Sequence, residues 1–470
     1  MRIVMKFGGT SVGDGARIKN AASLVVDSVR KKDSVAVVVS AMSGVTNALI
    51  RAARTAANGD AETWKQIQRT LTEQHLAAIE SAITDATARA DLWNQIVRGL
   101  NGFGDFCRSI HILGELTPRA LDAVASWGER LTAPIFAQAI IEQGFASQAI
   151  EATELIVTDN NFTQASPLMD ATREKSRARL LPLLDAGTIP VITGFIGATR
   201  NGMTTTLGRG GSDYSATILG SALDASEVWI WTDVDGVMTA DPRIVPDAQS
   251  IAEISYAEAA ELSYFGAKVI HPQTISPIVG QAIPVRILNT FNPTHPGTRI
   301  VHNAATNGRT VKAITAIRNL SLVTVEGRGM QGMPGVAAKV FSAVAREGAN
   351  VLMISQSSSE QSICFVIEAG ATEKICAALE KEFELEILRR QIDQVSAQTH
   401  VVIVAVVGAG MRGIPGIAAR VFGALGEHRI NIISIAQGSS EYNLSFVVDE
   451  RDADTAVHAI HSAFGLHTRS

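Results

Sequence analysis

Apolar residues fall into two alternating patterns along the first part of the chain. Short continuous runs, "RIVMKF", "SVAVVVSAM", "TIPVITGFIG" and "ASEVWIWTDVDG", have the character of strands buried on both faces. Between them, stretches such as "ARIKNAASLVVDSVRKK" carry apolar residues at helical spacing. Strands separated by helices predict an α/β domain with a mainly parallel sheet covered on both faces, hence three layers. From Asn58 to Ala125 strand signals vanish and the spacing is helical, which reads as an excursion from the sheet. The polar stretch "NAATNGRT" then predicts a linker over 303–310.

A duplication follows. "GRGMQGMPGVAAKVFSAVAREGANVLMISQSSSEQSICFVI" begins at Gly327. "GAGMRGIPGIAARVFGALGEHRINIISIAQGSSEYNLSFVV" begins at Gly408, 81 residues later, and is identical at 19 of 41 positions without a gap. Such self-similarity marks a repeated structural unit. Each copy predicts strand, Gly-Pro turn, helix, strand, strand and helix, the start of a βαββαβ sandwich. The first copy has "LEILRR" for its final strand, while the second has no segment left for one. "VKAITAI" (311–317) has no place in the first copy and is expected to complete the second. The expected organisation is a first domain over 1–302, one module over 318–393, and a second module from 311–317 plus 400–470. The first module is then inserted into the second.

Composition narrows the partners. The 470 residues are 46% hydrophobic and 19% charged, enough for sizeable cores. Forty-one basic against 46 acidic residues give a net charge of -5, without the basic footprint of a nucleic-acid binder. No apolar run reaches the ~18 residues of a membrane span, and "MRIVMKFGG" enters a strand without a signal-peptide pattern. The expectation is a cytoplasmic protein with neither nucleic acid nor membrane as partner. Cys107, Cys364 and Cys376 are scattered without ligand spacing and read as buried thiols in a reducing compartment.

Three glycine-containing loops follow predicted strands, where open α/β sheets bind ligands. In "KFGGTSV", Gly8 and Gly9 let backbone N–H groups approach a phosphate, Lys6 adds a cation, and the next helix offers its positive end. The plain alternative is a strand–helix turn with a solvated lysine. It is not a Walker loop, because the lysine precedes the glycines. In "GFIGATRNGMTTTLGRGGSD", Gly210 and Gly211 precede Ser212 and Asp213, a good N-cap pair. Arg209 beside them suits a carboxylate or phosphate. Two such loops fit a pair of anionic ligands. In "TDVDGVMTADPR" the acidic spacing falls short of a calcium loop, and Arg243 and Lys268 read as cations over a nucleotide or as solvated side chains. Glu129 in "SWGERL" reads as a surface carboxylate or an amine-binding group. His111 and His271 read as structural, and no metal cluster or nucleophile elbow is visible.

Together "KFGGTSV", "VSAMSGVTN", "GELTPRALDAVASWGERL", "GFIGATRNGMTTTLGRGGSDYSA", "WTDVDGVMTADPR" and "FGAKVIHP" resemble aspartate kinase, of the amino-acid kinase fold. The duplicated part resembles that family's paired ACT domains. The resemblance spans essentially the whole chain and, with no homoserine dehydrogenase part in view, points to a monofunctional enzyme. It implies phosphorylation of the L-aspartate β-carboxylate by ATP with Mg2+, the metal held mainly by ATP phosphates. By the same resemblance Lys6, Gly8, Gly9, Gly210 and Gly211 match phosphate-binding positions, with Lys6 and Asp213 at the reacting centre. Thr46, Glu129, Arg209 and Ser212 match aspartate-binding positions. Thr232, Asp233, Met238, Arg243 and Lys268 match nucleotide-binding ones, although Met238 stands where the family often has tyrosine.

Gln356 in "ISQSSSE" and Gln437 in "IAQGSSE" occupy equivalent positions of the two copies. They resemble the sensing glutamines of the threonine-responsive branch, which implies threonine as effector, with lysine as the alternative. A homodimer or larger assembly through the ACT modules is expected. The rivals are another amino-acid kinase, which would lack the duplicated module, and a catalytically silent amino-acid sensor. Intact Lys6, Glu129, Arg209 and Asp213 speak against the sensor.

Overall fold

The structure, a computed structural model, describes residues 1–266, 270–304, 309–357, 359–438 and 441–468. It divides into two compact units: 1–237, 250–256 and 269–304 in one, 238–249, 257–268 and 305–470 in the other.

The first unit is built, among the described residues, on an eight-stranded sheet. The strand order is Ser147–Ile150, Ile189–Thr193, Ser34–Val39, Arg2–Phe7, Glu227–Thr232, Val285–Asn289, Thr298–Val301 and Glu253–Ser255. Every pairing is parallel except that of Val285–Asn289 with Thr298–Val301. The central strand follows from its sequence. Ile3, Met5 and Phe7 pack with Val35, Val37 and Val39 into the core under the Gly15–Arg30 helix. By the twofold alternation of a strand, Val4 and Lys6 point to the other face. There the helix Gly211–Ala222 packs on the same strand.

Helices run from Val45 to Ile141 without a strand between them, so the helical excursion is longer than the apolar spacing alone suggests. The stretch "GFIGATRNGMTTTLGRGGSD" is also not one loop. Ile196–Thr199 and Thr204–Thr206 form a hairpin, paired to Val157–Thr158 in a separate three-stranded sheet.

The second unit carries a six-stranded antiparallel sheet. Two long strands, Ala313–Glu326 and Gln394–Val407, lie side by side at its centre. The first half of one, Ala313–Ile317, pairs with Val407–Ile403, and its second half pairs with Gln398–Gln394. Each long strand therefore serves both modules, and the first module is inserted into the second. Asn319 and His400, both at positive φ, mark the change-over; Asn and His enter the left-handed region more readily than most residues. Separate cores confirm two modules. Val323, Val340, Phe365 and Leu379 sit in one, and Val404, Val421, Phe446 and Ile460 in the other.

Two expectations fail here. "LEILRR" is not a strand: Glu384–Leu388 is a short helix, and the fourth strand of the first module begins at Gln394. Leu385 and Leu388 are exposed, so the apolar residues of that run do not form a strand face. Residues 238–249 also do not fold with the eight-stranded sheet. Ala240, Val245 and Ala248 lie in the second module's core, and Thr239 Oγ1 is 2.9 Å from His461 Nε2. The predicted linker falls partly outside the described residues, which omit 305–308.

Candidate active site

A cavity of about 540 Å³ opens in the first unit. Its walls include Lys6, Gly9, Thr46, Glu129, Arg209, Gly210, Gly211, Ser212 and Asp213. Nine of the positions singled out in the sequence thus meet in one place. Gly8 stands beside them; a Cβ there would lie 3.3 Å from Lys6 Nζ.

Strand alternation sends Lys6 towards the helix that bears Asp213, and Lys6 Nζ lies 2.5 Å from Asp213 Oδ1. Lys6 is only 8% exposed. Gly8 donates its N–H to Trp231 O at 3.1 Å, which ties the loop to the neighbouring strand. At Gly9 a Cβ would come within 3.1 Å of Ala41 O, so the close approach of two loops leaves little room for a side chain there.

Two helices begin at the cavity. Val45–Ala57 starts after Gly44 at φ 80, and Gly211–Ala222 after Gly210 at φ 71. Both glycines occupy the left-handed region that side chains avoid. Residues Gly44 and Thr46 of the first, and Gly210 to Asp213 of the second, line the cavity. Helix N-termini carry partial positive charge and unpaired N–H groups, so both favour an anion. This corrects two expectations. Gly210 is the N-cap, while Ser212 and Asp213 sit in the first turn facing the cavity. The helix after "KFGG" does not serve the site: it starts at Gly15, capped by Asp14, whose side chain accepts from Arg17 N. Gly15 is pressed against Ala78 and Ser81 of another helix.

Glu129 is the most perturbed acid at the site. It is 3% exposed, and Oε1 accepts from Ala41 N at 3.1 Å. Oε2 is buried with no hydrogen-bond partner among the described residues. Burial pushes its carboxyl up to about 8, against the pull of the Ala41 N–H and the Lys6 charge. The idle oxygen belongs to a side chain that lines the cavity, where a ligand can reach it. Arg209, exposed at the rim, offers the opposite charge. Phe195, unusual at φ 68, also lines the cavity.

Other predicted positions are not among the residues that line this cavity. Thr232 ends its strand, and its hydroxyl donates to Asp233 Oδ1 at 3.2 Å. Met238 and Arg243 belong to the second unit, where Arg243 pairs with Asp241 at 2.6 Å. Lys268 lies outside the described residues. His271 caps the Pro272–Val279 helix, a structural task as expected, while burial and nearby Arg209 hold its imidazole below its ordinary range. Gln356 and Gln437 are exposed at or just past the ends of the two outermost strands, which lie close to one another. Among the described residues no three His, Cys, Asp or Glu side chains are grouped for a metal ion.

Two carboxylates with structural partners gave no sequence signal, one of them at the site. Asp122 accepts three hydrogen bonds at the cavity wall. Asp235 accepts from Asn289 and Asn292 beyond the strand ends. Both act on partners far away in sequence, which spacing cannot reveal.

The profile of the amino acid kinase family matches residues 1–289, and that of an ACT domain matches 323–383 and 404–464. Bifunctional aspartokinase/homoserine dehydrogenase 1 of Arabidopsis thaliana is 37% identical over 98% of this chain, and the match covers 51% of that protein. The chain thus spans about half the length of such curated relatives. Chloroplastic aspartokinase 3 of the same plant is 33% identical over 98% of this chain and 81% of its own length. The crystal structure of E. coli aspartokinase III in complex with aspartate and ADP, described as the R-state, superposes with a TM-score of 0.81. It is 32% identical, over 98% of this chain and 99% of that one. The same enzyme in complex with lysine and aspartate, the T-state, gives 0.80. Kinase sheet, duplicated ACT modules and near full-length similarity agree: this chain belongs to the amino acid kinase family and, within it, to the aspartokinases.

Proposed function

We propose that the protein transfers the γ-phosphoryl group of ATP to the β-carboxylate of L-aspartate, giving 4-phospho-L-aspartate and ADP. This is the first step towards lysine, threonine and methionine. The observation that carries the reading is the cavity in which Lys6, Asp213, Arg209 and the idle oxygen of Glu129 converge. Aspartate presents an ammonium and two carboxylates. Glu129 suits the ammonium, and Arg209 with Thr46 and Ser212 suits the α-carboxylate. The β-carboxylate is then left towards Lys6.

That carboxylate is the nucleophile, and its ordinary pKa of about 3.9 leaves it ionised at neutral pH. No general base is needed, which fits a site without a catalytic histidine. The bond from the γ-phosphorus to the β-phosphate oxygen breaks as the carboxylate oxygen bonds to phosphorus, and ADP departs. The obstacle is the approach of two anions. Lys6, the loop backbone at Gly9 and Gly210, and two helix N-termini answer it electrostatically. Magnesium arriving with ATP, held mainly by the ATP phosphates, would supply further positive charge, and Asp213 would help to order the cations at the site. Thr232, Asp233, Met238, Arg243 and Lys268 are proposed for the nucleotide.

Threonine is the proposed effector, sensed through Gln356 and Gln437 between the ACT modules. Lysine is the rival suggested by the E. coli relative, whose T-state structure contains it. The exposed outer strands suit pairing with a second copy, so a homodimer or larger assembly is proposed. A coupled ADP-release assay with aspartate, glutamate and N-acetylglutamate tests the reaction. Turnover with aspartate alone, suppressed by threonine, is expected; turnover only with another acid contradicts the reading.

A further inference from the structure

Asp122 is 1% exposed and is the acceptor for three donors from two separate segments. Its Oδ2 accepts from Thr163 N at 2.9 Å and from Thr206 N at 3.0 Å. Its Oδ1 accepts from Thr206 Oγ1 at 2.6 Å. Thr206 ends the strand Thr204–Thr206, three residues before Arg209. Thr163 sits at φ 72, and its carbonyl would lie 3.3 Å from a Cβ on Gly208. The Thr163 turn thus packs directly on the backbone that leads into Arg209. Ala165 N also donates to Thr206 O, which closes the junction. Asp122, Thr163, Thr206, Gly208 and Arg209 all line the cavity.

Resting on the aspartate-kinase reading, we infer that Asp122 is a positioning residue: it fixes the loop that aims Arg209 at the substrate's α-carboxylate. Backbone N–H groups at a strand end and in a left-handed turn need acceptors, and a short loop of glycines cannot hold an arginine in place by itself. One carboxylate on a helix supplies acceptors to both segments. It thereby sets the loop's distance from the helix Pro118–Ala125. Asp122 acts on the aspartate subsite and leaves the nucleotide subsite alone.

The test is steady-state kinetics of the full chain with aspartate and ATP varied separately. D122A removes all three acceptors and should raise KM for aspartate about tenfold, with KM for ATP within twofold of the parent. D122N should stay close to the parent. Its amide oxygen can accept both backbone N–H groups while its NH2 donates to Thr206 Oγ1. T206V deletes one donor at nearly constant volume and should raise KM for aspartate about threefold; it carries the test if D122A does not fold. Unchanged KM for aspartate in D122A or T206V overturns the inference, as does a matching rise for ATP, which marks general damage. Equal loss in D122N and D122A overturns it too, because the charge itself would then be acting on substrate. A parent enzyme with no aspartate-dependent ADP release defeats the functional reading, and this role with it. A normal parent with indifferent variants defeats only the role.

Discussion

In the sequence Lys6 read as a cation for a phosphate or as a solvated lysine in a plain turn; the structure buries it at the cavity wall. Its partner was legible only in part: Asp213 looked like half of an N-cap, whereas Gly210 caps the helix and frees Asp213 to meet Lys6 at 2.5 Å. If Lys6 offsets charge on the transferring group, Lys6→Ala should lower kcat about a hundredfold or more, the usual cost of removing such a contact. Near-parental turnover would refute the role. Glu129 gives a second test, in pH. Free Glu129 is protonated below about 8, but an ammonium needs its carboxylate. Binding aspartate at lower pH must therefore expel a proton. KM for aspartate should then fall as pH rises, by about tenfold per unit below that value, and flatten above it. Glu129→Gln should give a higher KM that does not follow pH. A parent KM indifferent to pH between about 6 and 8 would contradict the assignment. Asp122 and Asp235 stayed invisible because each serves donors distant in sequence, on segments that only the fold brings together.

At the scale of elements, continuous apolar runs were reliable guides. "RIVMKF" is a strand over Arg2–Phe7, buried almost throughout. Where the pattern misled, two kinds of information were missing. "LEILRR" carries strand-like residues, but the neighbouring place in the sheet goes to Gln394–Gln398, which pairs with Leu322–Glu326. Residues 238–249 come soon after the kinase strand Glu227–Thr232, yet Ala240, Val245 and Ala248 lie in the second ACT core. Sequence order suggested one owner and packing chose another. The duplicated modules were legible because repetition at fixed offset survives any local ambiguity. Their outer strands supply the element-scale prediction. Gln356→Ala should weaken inhibition by threonine while uninhibited turnover stays at the parental level, since the residue belongs to the second unit and is not among those lining the cavity. Equal inhibition of parent and variant by threonine would sink the sensing role.

The whole molecule combines an amino acid kinase domain, which holds the cavity, with a pair of ACT modules. Inhibition by an effector requires only that it bind a less active state better than the active one. Among the described residues no helix is long and apolar enough to cross a membrane, and the acidic balance of the chain favours no polyanion. The central claim is the identity of the acceptor group, and its product is chemically distinctive. An acyl phosphate on the β-carboxylate is captured by hydroxylamine as aspartate β-hydroxamate. Incubating the protein with ATP, magnesium, aspartate and hydroxylamine should yield that hydroxamate in step with ADP and only when aspartate is present. ADP release without hydroxamate, or hydroxamate formed as readily from glutamate, would contradict the account.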